Sequence, residues 1–141
     1  MSYTKWFDAH ALKHKKIVDK LVELNYLKEE IIEYFDFDNM VKEEIDFCPL
    51  YKDNKKCHDM NELNCYLCAC PNFRFNDDGL DVYNELKILS KCDIDNGEKF
   101  SGKGVIHQDC SKCTVPHYKS YIVKNYSLDW KEIMKNVKTG V

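Results

Sequence analysis

The chain has 141 residues, a formal charge of −3, 44% hydrophobic and 32% charged residues, and eight cysteines. That length supports one compact domain with its own core, and no run reaches the roughly 18 apolar residues of a membrane span. The acidic balance, with Arg74 the only arginine, argues against a nucleic-acid binder, which needs a basic field and bidentate donors.

Residues 4–46 contain no cysteine and carry helical periodicity. Ile17, Leu21 and Leu24, then Leu27, Ile31 and Phe35, recur at three- and four-residue spacings, which predicts helices over 4–24 and 27–35 with a break at Asn25. Lys13, Lys15, Lys16, Asp19, Lys20 and Glu23 form the solvated side, and His10 and His14 are expected on a solvated face as well. A short helix over 38–45 follows, with Asp36 or Asp38 as its cap.

Residues 47–118 hold every cysteine and are rich in turn signals. One helix is predicted near 79–90, with Leu80, Tyr83, Leu86 and Leu89 on one face, and a short strand pair near 98–107. Thr114-Val115-Pro116-His117 reads as a helix start, with that helix running to about Asn125. Ser127 reads as the cap of a last helix over 128–138, burying Trp130, Ile133, Met134 and Val137. The fold expectation is therefore mainly α with a small, irregular, loop-rich, metal-stapled centre and a short β hairpin, within the α+β small-domain class. The three parts are a helical segment over 1–46, a cysteine-rich module over 47–118 and C-terminal helices over 119–141, read as one domain.

The N-terminus, Met1 to Ala9, lacks a basic-then-apolar signal pattern, so a cytoplasmic location is expected. In a reducing compartment dense cysteine indicates metal rather than disulfides. Cys65-x-x-Cys68 and Cys110-x-x-Cys113 are two separate pairs whose tight turns aim both sulfurs at one point. Zinc needs four such donors in tetrahedral array. Cys70 adds a donor two positions after Cys68, and Cys48, Cys57 and Cys92 complete the thiol set. His58, next to Cys57, and His117, four positions after Cys113, are candidate ligands or hydrogen-bond donors to a thiolate. His107 carries no assignment.

Eight thiols suit two four-cysteine sites, or one [4Fe–4S] cluster with thiols to spare. One partition puts Cys48, Cys57, Cys65 and Cys68 together and Cys70, Cys92, Cys110 and Cys113 together; other partitions stay open. Cys70-Pro71 favours iron–sulfur, whereas the Cys65-x2-Cys68-x1-Cys70 spacing does not match a ferredoxin run. A redox dithiol lacks its strand-to-helix context, and adjacent Cys57 and His58 are poorly placed as a catalytic dyad. A catalytic metal would need an open position and a nearby acid or base. Glu98, Asp109 and Asp93 lie near cysteines in a chain where acids are abundant, so a stand-alone enzyme is not expected.

The strings Phe47-Cys48-Pro49-Leu50-Tyr51, Cys57-His58, Asn64-Cys65-Tyr66-Leu67-Cys68-Ala69-Cys70-Pro71 and Asp109-Cys110-Ser111-Lys112-Cys113-Thr114-Val115-Pro116-His117 resemble the cysteine-rich small domain family. That family is described as zinc-finger-like and metal-binding. The resemblance covers about 47–118 and implies the same ligand set, with His58 and His117 inside the matching motifs. It implies little about activity. The two cysteine pairs and two histidines lead to the expectation of a structural zinc module that acts with another protein, with an iron–sulfur protein as the alternative.

Overall fold

A computed structural model describes residues 2–139. The first two helices fall where periodicity puts them, α1 over Tyr3–Glu23 and α2 over Lys28–Tyr34, and the third, expected over 38–45 behind an aspartate cap, is α3 over Phe37–Glu43 with Asp36 at its N-cap. Ser2 caps α1 by accepting from the Lys5 N–H at 3.1 Å. Asn25, at φ 63°, breaks the chain between α1 and α2, a left-handed conformation that asparagine tolerates. The apolar stripe is interrupted there, because Leu24 and Leu27 sit exposed at the turn while Ile17, Leu21, Ile31 and Phe35 are buried.

The two histidines of α1 depart from expectation. His10 and His14 are buried, not solvated. Their rings replace apolar side chains in an aromatic core. His10 lies 4.8 Å from the Phe47 ring and 5.0 Å from Trp130, and His14 packs 5.1 Å from Phe35 and 4.6 Å from Tyr66. One core cluster then runs from Phe7 of α1 to Val137 near the C-terminus. Burying each large apolar side chain there contributes about 2 kcal/mol.

The mainly α expectation is overturned. With 38% helix and 18% strand, in two sheets and five helices among the described residues, the fold is α+β. The six strands are β1 over Phe73–Phe75, β2 over Asp81–Tyr83, β3 over Leu86–Ile88, β4 over Ser90–Cys92, β5 over Glu98–Gly102 and β6 over Val105–Asp109. β1 pairs antiparallel with β4; the other four strands form a sheet in the order β2-β3-β6-β5, with β3 and β6 parallel. The predicted helix over 79–90 is the β2–β3 hairpin followed by β4. Asn84 and Glu85 sit at φ 49° and 68°, the two-residue turn that joins twisted strands and that no helix accommodates. The β5–β6 pair matches the expected strand region, with Lys103 and Gly104 at positive φ in its turn.

The C-terminal helices are shorter than expected. His117 ends a 3-10 turn over Val115–His117, and helix α4 spans only Lys119–Lys124. Thr114 makes no side-chain cap. Asp129, rather than Ser127, caps α5 over Trp130–Ile133 by accepting from the Lys131 N–H. The chain then leaves helix because Phe75 takes its backbone groups: the Phe75 N–H donates to Val137 O and the Thr139 N–H donates to Phe75 O, both at 2.9 Å.

Candidate metal centre

Cys65 and Cys68 lie on a turn closed by the Cys68 N–H and Cys65 O at 3.4 Å, and Cys110 and Cys113 on a turn closed at 3.0 Å. Asp109 supports the second turn by accepting from the Ser111 N–H at 2.9 Å. Ala69 and Cys70 adopt φ 89° and 53°. These left-handed residues swing the chain, so that Cys70 joins a different set of thiols from Cys68.

The electrostatics separate the thiols into two neighbourhoods. Burial raises the Cys65 thiol to about 12, with Cys57 and Cys48 adding to the shift. Burial raises Cys68 further, with contributions from Cys65, Cys57 and Cys48. Cys57 is raised to about 11 by burial and then by Cys48; the residue is exposed, but its sulfur faces the buried His117. In the second group burial raises Cys70, with Cys113 and Cys92 reinforcing. Cys110 rises to about 12 through burial, then through Cys113, Cys70 and Cys92. Thiols that suppress one another's ionisation in this way gain most from a cation, which displaces their protons.

At one point the donors already converge. Cys57 Sγ, His58 and His117 present ligand atoms within 4.8 Å of one another, the only such trio among the described residues. His58 Nδ1 lies 3.0 Å and His117 Nε2 3.7 Å from the Cys57 sulfur. Sulfur and nitrogen on one zinc ion stand about 3.6 Å apart, given bonds near 2.3 and 2.0 Å. Each imidazole is oriented by a backbone carbonyl on its far side. His117 Nδ1–H donates to Asn64 O at 2.8 Å, and His58 Nε2–H to Cys110 O at 2.9 Å. That leaves the unprotonated nitrogens facing Cys57, the arrangement found at metal-ligating histidines. His117 is also held neutral, because burial pulls its pKa down.

Donors are in place around the thiols as well. The buried Tyr51 hydroxyl meets no hydrogen-bond acceptor, yet stands close enough to Cys65 to favour its thiolate. Asn96 Nδ2 donates to Cys113 Sγ at 3.1 Å. Gly97, at φ +84°, lets the chain lie close against β6, where a Cβ would stand 2.8 Å from both Asp109 O and Gln108 Nε2. An orphaned buried donor beside a thiol fits a site in which that thiol is ionised by metal. Tyr51 and Asn64 fall inside the motif strings, but cysteine spacing assigned neither of them, nor Asn96, a place beside the candidate donors.

Compared with known proteins, the chain matches no family model, no curated protein and no solved structure. The likeness to the cysteine-rich small domain family therefore rests on its motif residues alone. No described helix is long and apolar enough to cross a membrane.

Proposed function

We propose that the chain is a metal-binding module with two centres of structural role, acting as an accessory or interaction partner of another protein. The first centre draws on Cys48, Cys57, Cys65 and Cys68, with His58 and His117 converging on Cys57; zinc suits this mixed sulfur and nitrogen set. The second draws on Cys70, Cys92, Cys110 and Cys113. The carrying observation is the pair of imidazoles whose far nitrogens are fixed by backbone carbonyls and whose near nitrogens meet at one sulfur. Bound metal would supply folding energy by tying the loops of 47–118 together.

A second reading concerns the second centre only. All four of its donors are thiols, and Asn96 donates to one of them, which also suits a [4Fe–4S] cluster. Purification under nitrogen, absorbance from 300 to 700 nm and elemental analysis of the same sample separate the two. Zinc near two equivalents without a visible band supports two zinc centres, while a broad band near ~400 nm with iron supports the cluster. A protein containing neither metal, or one whose far-UV circular dichroism is unchanged by strong chelator, overturns the structural-metal proposal.

A further inference from the structure

Each thiol group is braced by a residue that reaches across from the other. His58 belongs to the first group by position, next to Cys57, and its Nδ1 lies 3.0 Å from the Cys57 sulfur. Its Nε2–H donates to Cys110 O at 2.9 Å, and the same carbonyl accepts the Cys113 N–H at 3.0 Å. One ring therefore spans from a sulfur of the first centre to the carbonyl that closes the turn of the second.

His117 makes the reverse crossing. It follows Cys113 by four positions, and its own N–H donates to Thr114 O at 3.0 Å within the 3-10 turn. Its Nε2 nonetheless faces the Cys57 sulfur at 3.7 Å, and Asn64 O, one residue before Cys65, holds its Nδ1–H at 2.8 Å. The two rings meet with centroids 4.6 Å apart. A third crossing is covalent, because left-handed Ala69 and Cys70 carry the chain from Cys68 to the second group. Cys70 O then accepts the Phe73 N–H at 3.0 Å, and Phe73 pairs with Cys92 across β1 and β4. Every thiol of the second group is thus a few links from a residue of the first.

Ordering entropy decides what these links do. Loop segments lose conformational freedom when they are held. An ion in the first centre would hold Cys57, Cys68 and the two rings, and through them Cys70 and the Cys110–Cys113 turn. A second ion then meets segments already ordered, and linkage makes the advantage reciprocal.

We propose that the two centres fill as a unit, coupled through His58, which joins Cys57 Sγ to Cys110 O, and through His117, which joins the Cys113 segment to Cys57. The module is then a two-state metal switch, empty or fully loaded, rather than two independent staples. The proposal rests on the two-centre reading and adds how the centres load.

The test is native mass spectrometry of the full chain carrying one zinc per chain on average. Two independent sites, whatever their affinities, put at least half of the chains in the one-ion form; coupled sites should put well under half there. Competition with a zinc indicator gives the affinities. Removing the first centre with Cys65→Ser/Cys68→Ser should leave one zinc per chain, bound roughly 5–150-fold more weakly than at the second centre of the intact chain. His58→Phe keeps a ring and removes both nitrogens. In its presence the loss caused by Cys65→Ser/Cys68→Ser should shrink several-fold, which weakening of the first centre alone would not produce. A one-ion form at half or more of the chains overturns the proposal, as does a loss that His58→Phe leaves unchanged. A chain that takes up no zinc overturns the two-centre reading as well, whereas two ions that fill independently overturn only their coupling.

Discussion

Asn64 and His117, 53 positions apart, clasp each other through two hydrogen bonds: the Asn64 N–H donates to His117 O at 3.1 Å, and His117 Nδ1–H donates to Asn64 O at 2.8 Å. The Asn64 side chain, fully buried, donates in turn to Ile32 O and Asp36 Oδ1 and accepts from the Tyr66 N–H. One residue thus connects the end of the helical segment, the first cysteine pair and the candidate imidazole ligand. Asn64→Ala should destabilise the protein by about 2–3 kcal/mol, the scale of leaving buried partners unsatisfied. The carbonyl that holds His117 Nδ1–H is main chain and survives this change, so metal binding should fall only through loosening of the Asn64 backbone, by less than the roughly 10–100-fold that loss of an outer partner costs. Urea unfolding and competition with a zinc indicator check the two effects separately.

The thiol partition predicts how single cysteine variants behave. Cys70 follows Cys68 by two positions, yet its neighbours are Cys113 and Cys92, whereas those of Cys68 are Cys65, Cys57 and Cys48. Cys70→Ser should therefore resemble Cys110→Ser, and Cys68→Ser should resemble Cys65→Ser, in which metal equivalent is lost. Elemental analysis of the pairs and of the Cys68→Ser/Cys70→Ser double variant is the check. The double variant should lose both centres, whereas Cys68→Ser/Cys65→Ser should lose one.

Acid should unfold the protein through its buried histidines. Burial pulls His10 down to about 3, helped by His14 and Lys13, and burial pulls His14 down to about 3, with the Tyr66 backbone opposing slightly. Their unfolded values lie near 6.5. Depressed folded values mean that the unfolded state binds more protons between about pH 6.5 and 3, so stability falls as pH falls through that window. Two such groups give a slope of about 3 kcal/mol per pH unit well inside it. Urea midpoints of metal-loaded protein between pH 5.0 and 6.5 should decline accordingly, and His14→Leu should roughly halve the slope.

The hairpin that replaces the predicted helix over 79–90 has a direct test. Glu85 occupies a left-handed position at φ 68°, where a side chain costs about 1–2 kcal/mol. Glu85→Gly creates the Asn-Gly turn preferred there and should stabilise the protein by about 1 kcal/mol, seen as a higher melting temperature. In a helix the same change would destabilise by about 1 kcal/mol.

Much of the chain was legible locally. The first two helices follow from apolar spacing, the third from its aspartate cap, the break from Asn25, and the β5–β6 turn from Ser101-Gly102-Lys103-Gly104, because each is decided by neighbouring residues. The Cys-x-x-Cys pairs and the two motif histidines likewise identified candidate donors. The β2–β3 hairpin was missed because Leu80, Tyr83, Leu86 and Leu89 imitate a helical stripe, while the positive φ values that forbid a helix fall on Asn84 and Glu85, which carry no glycine signal.

By itself, then, the sequence determined which side chains could act as soft donors and where the chain would turn or coil, since spacing and backbone preference are short-range properties. Only the tertiary structure decided which thiols are neighbours, which nitrogen of His58 and His117 stays free, and why His10 and His14 are buried. Those depend on contacts between distant segments, such as β1 with β4 and Asn64 with His117, whose partners no local pattern specifies.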